Sequence, residues 1–342
     1  MKSWLRSSGR ISDIFPFAVL LSIVVLILGS ILSALLFKLP GVYAFLDSIT
    51  HNAALTSFLN DYLSFIGIWF VIVVYMLVFP ANRPMLRAFG PNRTGNTGKG
   101  LLIGLLLGFG TNAFCVLMSV LMGDIKLSWY GFRPLLLLAF LIAVFIQSGA
   151  EELTDRLYLY QKLRRRYRSP LVAIIGNALI FTSLHVFNPG FTVIAGTQIF
   201  LVGIVFSLLV YYYGSLWAAI TFHTAWNYTQ NLIFGLPNSG IVSAYSMFHL
   251  EAASARNGLF YNVSFGVEGS IGACAVLLLC AVILFVINRG RGECTDHWAA
   301  MEQSAALPTD DGSLQTTCSS PDTDSGSPAD NTFIVDPASA GL

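Results

Sequence analysis

Glu151 and Glu152 stand side by side at the end of an apolar run, with Arg156 one helical turn beyond them. Adjacent carboxylates repel, and each charge inside a bilayer costs about 2.5–3.5 kcal/mol on insertion scales. A chain that places both there needs compensating partners or a chemical task. On a helix Glu152 and Arg156 are i,i+4 neighbours and can pair. Glu151 points about 100° away and lacks that cation. A carboxylate held out of water without a cation is suited to take a proton as a general base. The bland reading is a helix end emerging into water, where such residues are ordinary.

Two histidines extend the pattern. His185 ends Phe181-Thr182-Ser183-Leu184-His185, and His223 opens His223-Thr224-Ala225-Trp226-Asn227. A neutral imidazole can orient water, relay a proton or bind a metal. His223 and Asn227 share a helix face at i,i+4 and could donate hydrogen bonds to a developing oxyanion. Against each stands a structural role, since polar side chains also bind transmembrane helices together. Asn177 fits that role, as nothing else points to it. His51, His249 and His297 fall in loops or the tail and read as solvated. No cofactor is assigned. A glutamate with two histidines could also ligate zinc, so a divalent metal stays open.

These residues sit in a membrane protein. Hydrophobic residues make up 55% and charged residues 11%, against about 25% charged in soluble domains. A span needs roughly 20 apolar residues, and eight segments qualify, near 14–37, 60–80, 100–123, 133–152, 170–188, 193–213, 215–236 and 269–288. The expected fold is an all-α, polytopic transmembrane bundle with both termini cytoplasmic. With the N-terminus inside, Lys2, Arg6, Arg10, Arg83, Arg87, Arg93, Lys99, Arg156, Lys162, Arg164, Arg165, Arg166, Arg168, Arg289 and Arg291 fall on the cytoplasmic side. Only Lys38, Lys126, Arg133 and Arg256 fall outside, as the positive-inside rule requires. The run Arg164–Arg168 reads as a cytoplasmic anchor that can attract anionic lipid. No basic domain exists to bind nucleic acid.

Residues 1–292 form the membrane domain. From about 293 to 342 Ser, Thr, Asp, Pro and Ala dominate, which predicts a disordered cytoplasmic tail. The five cysteines show no spacing that suggests a disulfide framework or zinc knuckle. Leu135 to Arg166 runs without proline, and Ser169–Pro170 starts the next helix, Pro being favoured in a first turn. Glu151 and His185 lie about 17 residues either side of that turn, hence at one depth, roughly 25 Å from it at 1.5 Å per residue. A cavity on the cytoplasmic side would gather Glu151, His185, His223 and Asn227.

The order Glu-Glu-x-x-x-Arg, Phe-x-x-x-His, His-x-x-x-Asn resembles the CPBP family of intramembrane proteases. That family includes the CAAX prenyl endopeptidases and the bacterial bacteriocin-processing and self-immunity (Abi) proteins. Gly214-Ser215-Leu216-Trp217 is similar to the family's lead into its third motif, and the resemblance covers about residues 133–232. It implies peptide-bond hydrolysis within the membrane, on a membrane-associated peptide or protein. It also implies roles. Glu151 would activate water with help from His185, His223 and Asn227 would stabilise the oxyanion, and Glu152 with Arg156 would hold the geometry. Family members are described both as metal-dependent and as glutamate-dependent. Two adjacent glutamates, one base and one structural partner, favour the second account. The expected location is a bacterial plasma membrane. The rival readings are a non-proteolytic immunity or adaptor protein on this scaffold, and a proton-coupled transporter. The second of these lacks the internal repeat such transporters carry.

Overall fold

The computed structural model describes residues 4–91, 95–294 and 298. The expectations for Lys2, Arg93, His297, Cys318 and most of the proposed tail lie outside those residues.

The chain is an all-α bundle. Its helices are α1 (Phe15–Phe37), α2 (Pro40–Thr50), α3 (Ala53–Leu63), α4 (Ile66–Val78), α5 (Gly98–Leu121), α6 (Pro134–Glu152), α7 (Tyr160–Arg166), α8 (Pro170–Leu184), α9 (Val193–Tyr213), α10 (Leu216–Tyr228) and α11 (Ile271–Ile287). Their starts follow from local chemistry. Pro16, Pro40, Pro134 and Pro170 occupy first-turn positions, where the missing N–H costs nothing. Asn52, Thr97, Thr192, Ser215 and Ser270 accept a backbone N–H at the N-termini of α3, α5, α9, α10 and α11. Gly214, at φ 58°, turns α9 into α10 through the left-handed region.

All eight apolar segments are helical. Phe15–Phe37, Ala53–Val78, Gly98–Leu121, Pro134–Arg166 and Val193–Tyr213 are long and apolar enough to cross a membrane, while Pro170–Leu184 and Ile271–Ile287 are apolar but shorter. The second segment begins at Ala53, earlier than the sequence suggested, because Asn52 caps a helix that runs almost without break into α4. Only 22% of the apolar window of α1 is buried, against 67% for α9, so α1 lies at the periphery and α9 at the centre. Alternation of the helices gathers the α4–α5 loop, the α7–α8 turn and the α9–α10 turn at one end. The other end carries the α8–α9 turn, the long 234–270 segment and a two-stranded sheet. There β1 (Leu127–Trp129) pairs antiparallel with β2 (Phe248–Leu250). His249 is therefore a strand residue, its ring stacked on Tyr130 at 3.9 Å, and not a loop side chain.

Pro134–Arg166 is continuous, as its lack of proline predicts, but it is not uniform. Leu153–Leu159 winds as a π-helix immediately after the paired glutamates. Wider turns of this kind occur mostly at functional sites, and they leave carbonyls to be satisfied from outside the helix. Asn177 meets that need. Its Nδ2 donates to the Asp155 carbonyl at 2.6 Å, and its Oδ1 accepts from Ser207 at 3.4 Å. It is the interhelical contact the sequence suggested.

The basic run departs from expectation. Lys162, Arg164 and Arg165 are buried. Asp13, itself fully buried, pairs with Arg165 at 2.6 Å and Lys162 at 3.3 Å, and Arg164 pairs with Glu293. Burial pushes the Asp13 carboxyl up, but hydrogen bonding and charge from Arg165, the Arg10 N–H and Lys162 outweigh it and hold it below its ordinary value. The segments before α1 and after α11 thus supply the carboxylates that let these cations turn inward. The Leu5 and Tyr167 backbones form a bridge, the Cys294 N–H donates to Tyr211 O at 2.9 Å, and Trp298 lies under the Arg165 guanidinium.

Candidate active site

Glu152 is fully buried, and its Oε1 accepts from two sides, from Arg156 Nη1 at 3.0 Å and His223 Nδ1 at 3.0 Å. A carboxylate oxygen only accepts, so Nδ1 of His223 carries the hydrogen. The other nitrogen, Nε2, faces Glu151 Oε2 at 3.7 Å. That is too long for a direct hydrogen bond and suits one bridged by water or by a substrate atom. His223 thus stands between the two glutamates, bonded to one and facing the other.

Arg156 is set by more than its i,i+4 partner. Its guanidinium donates to Gly203 O at 3.3 Å and lies between the rings of Phe181 and Phe206, 4.6 and 5.1 Å from their centroids. Phe206 also stacks on His223 at 5.3 Å. A Cβ on Gly203 would sit 3.1 Å from Ala178, so the glycine lets α9 approach α8 closely beside the guanidinium. Desolvated stacking of this kind contributes roughly 2 kcal/mol or more, and the hydrogen bonds at Glu152 Oε1 offset part of the pair's desolvation cost.

Glu151 has a different environment. Gln147, one turn earlier on α6, donates to its Oε1. Its Oε2 is buried and has no hydrogen-bond partner among the described residues. His185 caps α8, and its Nδ1 lies 2.8 Å from Phe181 O. Because a carbonyl only accepts, Nδ1 bears the hydrogen and Nε2 is left as an acceptor in the neutral ring.

Glu151, His185, His223 and Asn227 line one cavity of about 450 Å³ together with Gln147, so the structure brings these four predicted residues together. Glu152 and Arg156 lie behind it as the buried support. Its remaining walls come from the C-terminal half of α1, from α3 and the start of α4, from the end of α8 and from the 238–241 segment. Among the described residues, the loop at 80–91 and 95–97, α7 and the 214–215 turn contribute no lining residue. The α9–α10 turn is itself covered, since Ser215 Oγ donates to Gly95 O at 2.7 Å and Trp217 Nε1 to Phe89 O at 2.9 Å.

Some participants were not foreseen. Asn227 Nδ2 donates to Gln147 Oε1 at 3.3 Å, and its Oδ1 accepts from Asn238 at 3.1 Å. Glu268 accepts from Asn238 Nδ2 at 3.0 Å, Trp226 Nε1 at 3.0 Å and the Ser239 N–H at 2.6 Å. Gln147 could have been noticed as a lone amide four residues before Glu151 in an apolar run. Asn238 and Glu268 sit outside any helical period and carried no such signal. Among the described residues no three His, Cys, Asp or Glu side chains converge to hold a metal ion, so no step below is routed through one.

The helices thus bring Glu151, His185, His223 and Asn227 to one cavity, with Glu152 behind it. Residues 133–229 match the family model described as Type II CAAX prenyl endopeptidase Rce1-like. The matched segment spans all three motifs, in agreement with the CPBP resemblance. It supports an intramembrane, CAAX-endopeptidase type of activity in general and a multi-pass membrane protein acting on membrane-associated substrates. No curated protein and no solved structure matches the chain.

Proposed function

We propose that the protein is an intramembrane endopeptidase in which Glu151 activates water for attack on a peptide bond. The observation that carries this reading is Glu151 Oε2, buried, without a hydrogen-bond partner among the described residues, and turned toward His223 Nε2 in a cavity that reaches the surface. Water between these two atoms can give its proton to the carboxylate as its oxygen attacks the carbonyl. His185 Nε2 offers a second acceptor in the same cavity. Donors are needed where charge develops on the carbonyl oxygen. Asn227 supplies an amide, and His223 supplies Nε2–H when it carries the proton. Glu152 and Arg156 hold His223 in orientation. The eight-span arrangement with both termini cytoplasmic, and a bacterial plasma membrane as location, belong to the same proposal and rest on the basic end described above.

The test is Glu151→Gln in reconstituted membranes. The amide keeps the shape but cannot accept a proton, so cleavage should fall by about 10²–10⁴-fold while insertion and folding persist. A near-parental rate would remove Glu151 as the base.

A further inference from the structure

An amide stabilises an oxyanion only through its N–H groups, and a buried asparagine side chain fits its site by shape either way round. What fixes Asn227 lies outside its own helix and outside the matched segment 133–229. Glu268 is buried. Its Oε1 accepts from Trp226 Nε1 at 3.0 Å and its Oε2 from the Ser239 N–H at 2.6 Å. Indole and backbone N–H groups only donate, so both oxygens must accept. The Asn238 side chain meets Glu268 Oε1 at 3.0 Å and must therefore turn its Nδ2 toward it. The second hydrogen of that Nδ2 goes to Asn227 Oδ1 at 3.1 Å. Asn227 is left with its Nδ2 facing Gln147 Oε1 at 3.3 Å and Ser148 Oγ at 3.5 Å. Gln147, its oxygen engaged, has only Nε2 to offer Glu151 Oε1. One carboxylate thus sets the direction of three amides that end on the other.

The 238–241 turn is built to hold this arrangement. Asn238 and Ile241 exchange backbone hydrogen bonds of 2.9 Å. The two residues between them, Ser239 at φ 48° and Gly240 at φ 84°, both lie in the left-handed region. Positive φ at both central positions is the mark of a tight two-residue hairpin turn. A serine rarely adopts it, and such residues persist where their surroundings over-determine them. Here Glu268 holds the Ser239 N–H. A Cβ on Gly266, itself at φ 73°, would collide with the Pro237 carbonyl, so the segment bearing Glu268 packs directly on the residue before Asn238. The bonds that Asn227 Nδ2 donates, at 3.3 and 3.5 Å, are at the long limit for hydrogen bonds. Those that hold the amide from behind are 3.1 and 3.0 Å. The amide is therefore fixed in direction yet free to exchange weak acceptors for a developing oxyanion.

We infer that Asn238 and Glu268 are positioning residues for the proposed hydrolysis: they keep the Asn227 amide N–H turned to the cavity as the oxyanion donor, and through Gln147 they keep an N–H on Glu151. This rests on the proposed endopeptidase activity. Both residues act through Asn227 rather than on the reacting atoms. A role confined to holding the cavity wall would use the same contacts but would show itself differently. Stabilisation of an oxyanion is felt in the transition state alone and moves kcat with KM unchanged. A loosened wall moves KM and stability instead.

The experiment uses the full-length chain in reconstituted membranes and a library of quenched fluorogenic peptides carrying an acyl anchor, from which a peptide cleaved by the parent is taken. Asn238→Leu, Asn227→Ala and the double variant form one cycle. The expected result for Asn238→Leu is a fall in kcat of about 10–100-fold, short of the roughly 10²–10³-fold cost of losing an oxyanion donor outright, with KM unchanged. Asn227→Ala should cost at least as much, and the double variant should lose nothing further, because residues that act through one another are not additive. Glu268→Gln keeps an acceptor for Asn238 and Trp226 and should stay near the parental kcat, whereas Glu268→Leu should match Asn238→Leu. A parental kcat in Asn238→Leu, a change in KM alone, or additive losses in the cycle would overturn the inference and leave the endopeptidase reading intact. A parental kcat in Asn227→Ala would overturn it together with the oxyanion role of that residue. Cleavage of no peptide by the parent would overturn the endopeptidase reading on which both stand. Where Asn238→Leu fails to insert or melts early, Asn238→Ser, small and hydrophilic in the turn, enters the same cycle under the same criteria.

Discussion

His223 and Glu152 form a hydrogen bond of 3.0 Å between residues 71 positions apart in sequence, and this bond fixes the hand of the site. With Nδ1–H committed to Glu152, the imidazole can present only Nε2 to Glu151. In the proposed mechanism Glu152 is a positioning residue and Glu151 the reacting one, although they are neighbours of the same type.

The pair should therefore act as one unit. Glu152→Gln and His223→Gln should each lower the cleavage rate by about 10²-fold or more, within the range for lost acid–base groups. The double variant should lose little beyond the worse single one, because groups working as a unit are non-additive. Additive losses in a double-mutant cycle would separate the two roles.

Arg156→Met should lower stability more than activity assays alone would suggest. It leaves Glu152 as a buried charge without its cation, and breaking a buried pair costs about 3–5 kcal/mol. Thermal unfolding in detergent should show the drop. A melting temperature equal to the parent's would mean that His223 alone compensates Glu152.

Glu268→Ala removes one acceptor for Trp226, Asn238 and Ser239, and each buried donor left unsatisfied costs about 1–3 kcal/mol. The 238–241 wall should loosen, and Asn227 should lose its fixed partner. Limited proteolysis of the 234–270 segment should quicken, while Glu268→Gln, which keeps an acceptor oxygen, should recover most of the parental resistance.

Asp13 makes a pH prediction with a definite sign. Its folded carboxyl is held below the ordinary value of 3.8, so its contribution is complete above that value and is lost as pH falls through the folded one. Asp13→Asn should lower stability at neutral pH and flatten the acid limb of a pH–stability profile. An unchanged acid limb would show that other carboxylates govern it.

The tail can be divided by truncation. A chain ending at Ala300 keeps Glu293 and Trp298 and should insert and cleave like the full chain. A chain ending at Gly292 deprives Arg164 of Glu293 and should unfold at a lower temperature. Loss of cleavage in the longer truncation, at equal inserted protein, would assign the remaining tail a part in substrate capture.

The three motifs were legible because their spacing is helical. Glu152 and Arg156 meet at i,i+4 within one element, and Glu151 and His185 lie equally far from one turn. What escaped was set by contacts between elements. Nothing in the period of α10 shows that His223 stands beside Glu152, because that depends on how far the 80–97 loop sinks the Gly214–Ser215 turn. Positive charge identified the basic end, but a composition count cannot show that Arg165 faces Asp13. Depth follows from counting residues, whereas the walls that Asn238 and Ser239 add to the cavity depend on how a loop folds back over it.

Asp13 and Arg165 are 152 positions apart. At about 5–20 residues per second of synthesis, the carboxylate at the head of the first span waits roughly 8–30 s for its cation to be made. Until α7 emerges, the start of α1 has no buried place for that charge, so α1 can enter the bilayer early but cannot take its final seat. That cation arrives on the same continuous Pro134–Arg166 helix that carries Glu151 and Glu152. The first span can therefore dock before the reactive centre exists, because His185 at the end of α8 and His223 and Asn227 of α10 are still to be made.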